Sequence, residues 1–303
     1  MKLSSIDEMP GLVCGLLLGG QNGLYRVETP DGILLCRSAT KIRKDGLKLQ
    51  AGDIVYIEDN GDGTGFVRSV GERKNSLVRP PVSNVGLLVI VAAADHPKPL
   101  PFCIDKLTVI AEKQNIPVAL VISKSELGDP ASLASVYAKT PYPVFKVAEY
   151  GKEGTEGLLS LMQGKITVFC GASGVGKSTL LNTLFPDLHA EVGELSEKIQ
   201  RGKNTTRTTS LFRIDKDTYV ADTPGFTMLE TDMYCKIEKK ELCTLFPEMS
   251  SYLGKCRYSH CTHLCEEGCG IVEAVQNGII PKERHESFKR LYEELKTIPS
   301  YQS

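Results

Sequence analysis

The chain has 303 residues, 41% of them hydrophobic, and a formal net charge of −1. Its length exceeds the usual single domain, so two or three domains are expected, and its apolar content supplies a core of ordinary size. The near-zero charge gives no broad electrostatic grip on nucleic acid, so any RNA partner has to meet local basic patches. No apolar run approaches the length needed to cross a bilayer, and the opening MKLSSIDEMP lacks the basic-then-apolar layout of a signal peptide. A cytoplasmic protein without a membrane partner is expected. Ten cysteines are awkward as disulfides in that reducing compartment, and the crowding of Cys256, Cys261, Cys265 and Cys269 points to metal instead.

Residues 1–74 carry short strand-like runs at 15–18, 23–27, 33–37, 53–58 and 65–70, separated by turns such as Pro30-Asp31-Gly32 and Asn60-Gly61-Asp62-Gly63. This spacing predicts a small β-barrel of the OB kind. Arg37, Lys41, Arg43, Lys44 and Lys48 form a positive loop between runs, suited either to a phosphate backbone or to plain solvation. The barrel could equally be a protein-binding module.

Over residues 75–232 the pattern changes. Arg79-Pro80-Pro81 reads as a stiff connector, and after it long apolar runs alternate with helical ones. Runs at 85–93, 117–123, 144–147, 166–170 and 218–222 predict strands buried on both faces, as a doubly wound α/β sheet requires, with a helix over 103–114. The run 166–170 is followed by Gly171, Ala172, Ser173, Gly174, Val175, Gly176, Lys177 and Ser178, which matches G-x-x-x-x-G-K-S/T at every specified position. Glycines let backbone N–H groups converge on phosphate, and the N-terminus of a helix opening at Lys177 adds partial positive charge. Lys177 neutralises the β/γ-phosphates, and Ser178 offers a hydroxyl to Mg²⁺.

Two further elements follow. Asp222-Thr223-Pro224-Gly225 ends a strand, where a carboxylate can hold Mg²⁺ through water and a glycine can present its N–H to a γ-phosphate. Between it and the phosphate loop, Arg201 to Thr209 is polar and aperiodic, and Thr205 and Thr206 are candidates for a first switch that meets Mg²⁺ only with the γ-phosphate present. A base-reading element of the Asn-Lys-x-Asp kind is absent downstream. Upstream, Ser123-Lys124-Ser125-Glu126 follows a buried strand, keeping the lysine and a carboxylate one methylene longer but losing the amide. Guanine preference is then expected to be weakened, since a displaced carboxylate forfeits hydrogen-bonding discrimination. The order of base reading, phosphate loop and switches is that of a circularly permuted P-loop GTPase.

Residues 233–303 contain CRYSHCTHLCEEGC. Cys256, Cys261, His263 and Cys269 make a Cys₃His set suited to one structural Zn²⁺, with His260 and Cys265 as nearby substitutes. Helices are predicted over 273–278 and 282–296. Lys255, Arg257, Arg284, Lys289 and Arg290 could face RNA, although the intermixed glutamates suit a solvated surface as well.

Barrel, connector, GASGVGKS, DTPGF and cysteine-rich module together resemble the RsgA/YjeQ family of small ribosomal subunit-dependent GTPases over nearly the whole chain. The resemblance implies a monomeric cytoplasmic enzyme that binds the small (30S) subunit and its 16S rRNA late in maturation, and that departs after hydrolysing GTP to GDP. It assigns phosphate binding to the loop and to Thr179, the second switch to Asp222 and Gly225, and zinc to the Cys₃His set. Three departures stand out. Ser123 and Glu126 replace the family's base-reading Asn and Asp, Ala148-Glu149 replaces Ser-Ala, and Asn204 replaces a first-switch histidine implicated in hydrolysis. Asn204 can orient a water but cannot take a proton near neutral pH, so slow basal hydrolysis is expected. Two other readings are a nucleotide-gated RNA-binding switch with little turnover, and an ATPase using the same loop.

Overall fold

The computed structural model describes residues 11–39, 42, 46–148, 154–186, 209–222 and 237–297. Residues 1–88, 158–169 and 181–226 group into one compact unit, and residues 89–157, 170–180 and 227–303 into a second.

In the first unit, strands β1 (Val13–Gln21), β2 (Leu24–Thr29), β3 (Gly32–Ser38), β4 (Ile54–Asp59) and β5 (Thr64–Val70) close into a barrel of order β1-β2-β3-β5-β4. Alternation along the strands turns Leu17, Val27, Cys36, Val55, Ile57 and Val67 into a common interior, the pattern a small filled barrel needs. The expected connector is itself structured. β6 (Ser76–Val78) and β7 (Pro81–Ser83) form a hairpin whose turn holds a cis Arg79-Pro80 bond. Gln50 fastens this hairpin to the barrel by accepting from the hydroxyls of Ser76 (2.7 Å) and Ser83 (2.9 Å).

The α/β portion is a six-stranded sheet of order β10-β9-β8-β11-β13-β12. Its strands are β8 (Leu87–Ala93), β9 (Val118–Ser123), β10 (Val144–Lys146), β11 (Ile166–Cys170), β12 (Ser210–Asp215) and β13 (Thr218–Asp222). Every residue of β8, β9 and β11 is buried, as expected for central strands covered on both faces. β9 and β10 run parallel, as do β11 and β13, while β12 runs antiparallel to β13 at the edge. β12 has no counterpart in the sequence-based expectation.

Helix α1 (Pro101–Lys113) precedes β9, α2 (Pro130–Tyr137) and α3 (Glu156–Met162) flank β10, and α4 (Lys177–Leu184) follows the phosphate loop. The Asp129 carboxylate caps α2 by accepting from the Ala131 N–H, with Pro130 at the first helical position.

The C-terminal part of the second unit has short 3₁₀ helices at Leu242–Leu245 and Pro247–Tyr252, then α5 (Gly270–Gln276) and α6 (Lys282–Thr297). α5 begins three residues earlier than the 273–278 expectation. Leu242, Phe246, Met249, Ile271, Phe288 and Leu291 share a core with Val109 of α1. Phe246 and Phe288 meet edge to face at 5.6 Å.

Candidate nucleotide site and metal centre

The loop at the carboxyl end of β11 turns at Gly171, whose φ is +146°. A Cβ there would lie 2.1 Å from the Val91 carbonyl oxygen, so the loop passes β8 at a distance only glycine allows. Lys177, the first residue of α4, folds back over this turn and donates to the carbonyls of Gly171 (2.8 Å) and Ala172 (2.7 Å). Burial holds its ammonium below the ordinary lysine pKa, the opposing influence of Cys170 being smaller. Ser173, Gly174 and Ser178 are exposed, Val175 is buried, and Ala172, Gly176 and Thr179 are half-buried. The loop thus presents Ser173, Gly174 and Ser178 outward over the buried Val175.

Two side chains of the upstream element tie it to this loop. Ser123, buried at the end of β9, donates to the Val175 carbonyl at 2.5 Å, with the Ala92 carbonyl 3.2 Å away. Lys124 has a left-handed φ of +54°, and from there its ammonium donates to the carbonyls of Gly174 (2.7 Å) and His96 (2.8 Å). Ser123 therefore spends its one proton on the loop and offers none to a base. Glu126 is exposed beyond them. The contributions of Val175 and His96 use main-chain carbonyls, which carry no residue-type signal.

Asp222 closes β13 in register with Ser210 of β12. Asn204, Thr205, Thr206, Gly225 and Glu149 lie outside the described residues.

Cys256, Cys261, His263 and Cys269 come together with all four ligand atoms within 4.8 Å of one another, a cluster that could hold a metal ion. Cys265 is exposed and outside it. Burial pushes the Cys261 thiol up to about 12 and the His263 imidazole below its ordinary value, favouring the neutral ring a metal requires. Glu266 shapes the loop, accepting from the N–H groups of Thr262 (2.7 Å), Leu264 (2.9 Å) and Cys265 (3.1 Å) and from the Thr262 hydroxyl. Burial raises its carboxyl pKa, but these hydrogen bonds outweigh it and hold the value at about 2.

Arg284 corrects one expectation. It is not an RNA-facing side chain: it is wholly buried, 2.7 Å from Asp105 of α1 and bidentate on Glu248 at 2.6 and 3.1 Å. Tyr137 of α2 donates to the same Asp105 oxygen at 2.7 Å, and the guanidinium lies 4.6 Å from the Phe246 ring centre. The next residue, His285, donates to the His263 carbonyl at 2.7 Å, so consecutive residues of α6 hold α1 and the metal loop. Lys255 and Arg257 do stay exposed, lying over the rings of Tyr252 and Tyr258.

A phosphate loop after the strand that is fourth of the sheet in chain order, with the strand expected to lead into base reading earlier in the chain, defines a circularly permuted GTPase fold. The family model described as RsgA GTPase matches residues 70–232. A small ribosomal subunit biogenesis GTPase RsgA of Caldanaerobacter subterraneus is 38% identical over 285 residues, covering 93% of this chain and 95% of that protein. The protein of the same name from Thermotoga neapolitana is 38% identical over 289 residues, covering 93% and 96%. Among solved structures, YjeQ from Thermotoga maritima superposes with a TM-score of 0.80 at 32% identity, covering 95% of this chain and all of that one. YloQ, described as a circularly permuted GTPase, gives 0.78 at 27% identity, covering 98% and 100%. The chain belongs to the RsgA GTPase family.

Proposed function

We propose that the chain is a GTP hydrolase that binds the small ribosomal subunit and its 16S rRNA late in maturation and leaves after hydrolysis. The observation that carries this reading is the tether of Ser123 and Lys124 to the phosphate loop, which joins a base-reading element and a phosphate cradle into one site within a chain of this family. Lys177 would exchange the Gly171 and Ala172 carbonyls for the β/γ-phosphates, and Ser178 would hold Mg²⁺ beside them. Thr179 and the loop N–H groups would complete the cradle. Ser123 and Lys124 would place the purine and Glu126 would read it. Thr205 and Thr206 would close the first switch, and Asp222 and Gly225 the second. Asn204 would orient the attacking water without accepting its proton, and most of phosphoryl transfer rests on such positioning and charge stabilisation.

The ligand spacing supports Zn²⁺ in the Cys₃His cluster. Two sulfurs each about 2.3 Å from a tetrahedral zinc stand about 3.8 Å apart. Cys256 and Cys269 sulfurs are 3.8 Å apart, and each lies 3.4–3.5 Å from His263 Nδ1. The ion would stabilise the module from 233 onward, with 1–74 as barrel and 75–232 as GTPase domain. A monomer acting in the cytoplasm fits this role, and among the described residues no helix is long and apolar enough to cross a membrane.

Hydrolysis of GTP and ATP, each with and without small subunits, tests the reading. GTP hydrolysis should be slow alone and faster with subunits, and Asn204→His should raise the rate. Equal GTP rates with and without subunits would reject the ribosomal assignment. Asn204 also favours a second reading, a nucleotide-gated RNA-binding switch, which single-turnover hydrolysis on the subunit separates from the first.

A further inference from the structure

The barrel grips the hairpin β12–β13 at two successive levels, and neither contact belongs to the nucleotide site. At the first, β1 bulges between Leu17 and Gly19, and Gly19 has φ +151°. A Cβ on Gly19 would lie 2.9 Å from the Ser210 hydroxyl and 3.1 Å from the Thr209 carbonyl. Ser210 is the register partner of Asp222. At the second level, Glu28 of β2, 9% exposed, accepts from Arg213 on one carboxylate oxygen and from the Tyr219 hydroxyl on the other, both at 2.7 Å. Arg213 and Tyr219 are themselves register partners. One barrel carboxylate thus bridges the two strands whose ends lead into the candidate switch segments.

We propose that Glu28 is a positioning residue: it ties the barrel to the strands that carry the switches, so that what binds the barrel and what binds the nucleotide influence each other. The geometry favours transmission over mere support. The carboxylate holds both strands at facing positions, so a shift of the barrel moves the hairpin as a unit. Coupling of this kind is reciprocal: if subunit engagement at the barrel favours one arrangement of β12–β13, nucleotide state must alter the barrel in return. Tyr219 is buried, and burial and the hydrogen bond to Glu28 raise its pKa, which keeps the proton on its hydroxyl and that hydroxyl donating to the Glu28 carboxylate. Arg213 is half-exposed, with 53% of its side chain accessible, leaving one arm of the tie free to adjust.

This inference rests on GTP being the ligand, and its first test needs no ribosome. Hydrogen exchange of β1 and β2 is measured with GDP and with a non-hydrolysable GTP analogue, in wild type, Glu28→Gln and Tyr219→Phe. Wild type should show a nucleotide-dependent difference in those strands, and both variants should lose most of it while binding nucleotide with unchanged affinity. No difference in nucleotide-bound wild type overturns the proposal. Failure of wild type to bind GTP rejects the functional reading instead. In the second test, basal GTP hydrolysis by Glu28→Gln should stay within about twofold of wild type, while stimulation by small subunits falls by roughly fivefold or more, the lower end of typical couplings. Basal and stimulated rates falling in parallel would assign Glu28 a structural role only, and so would equal stimulation in variant and wild type.

Discussion

Two arginine–carboxylate ties, one in each compact unit, use the same chemistry to opposite ends. Arg284 has no exposed side-chain surface and meets Asp105, Glu248, Thr108 and an aromatic wall. Arg213 is half-exposed and meets one carboxylate oxygen of Glu28. Once desolvated, a charge has no substitute for its protein partners, so the buried tie has to remain intact for the second unit to keep its packing. An exposed one can exchange its partner for water at little cost. The first arginine therefore specifies structure, whereas the second is suited to adjustment.

Breaking the buried tie should have the largest effect. Arg284→Ala leaves Asp105 and Glu248 as uncompensated buried carboxylates, at a cost of about 3–5 kcal/mol. For a chain of this size the melting temperature should fall by roughly 5–8 °C. A drop of only a degree or two in a thermal melt would show that water reaches these groups and that the contrast with Arg213 is false. The corresponding change in the first unit, Arg213→Ala, should cost less than about 1 kcal/mol, because Tyr219 still donates to Glu28 and solvent replaces the guanidinium. Denaturant unfolding of the two variants side by side measures the contrast directly.

The same contrast separates what the sequence made legible from what it did not. The phosphate loop was readable because its function depends on backbone geometry within eight consecutive residues, and Gly171 meets Val91 at a distance no other residue tolerates. The Cys₃His cluster was readable because its four residues fall between 256 and 269. Uniformly apolar runs announced β8, β9 and β11. Arg284 was not readable: on a polar helix an arginine has the pattern of a solvated residue, and only Asp105 and Glu248, brought from distant segments, make it interior. β12 escaped because its six residues bury only Leu211 and Phe212, too short a signal without its partner β13. The 3₁₀ segments at Leu242–Leu245 and Pro247–Tyr252 are shorter than a helical period can reveal. Glu28 lies within an expected barrel, yet its proposed role depends on residues 185 and 191 positions further along the chain.

Glu266 extends the comparison to a carboxylate that uses backbone N–H groups in place of an arginine, and its effect should be the most dependent on pH. Its folded-state pKa of about 2 lies below the ordinary 4.5, so its contribution to stability is present above 4.5 and is lost as pH falls toward 2. The proposed zinc ligands would also take up protons in acid, which makes the wild-type curve alone ambiguous. The difference between wild type and Glu266→Gln removes that shared component. It should be constant at neutral pH, shrink as pH drops below 4.5 and level off below about 2. Thr262 donates to one carboxylate oxygen and Leu264 and Cys265 to the other, so glutamine keeps an acceptor for only one of these sets and turns an NH₂ toward the other; that cost does not depend on pH, and the shrinking part reports the ionised carboxylate. A difference independent of pH across this range would mean that the loop is held by its shape, with the carboxylate charge contributing nothing.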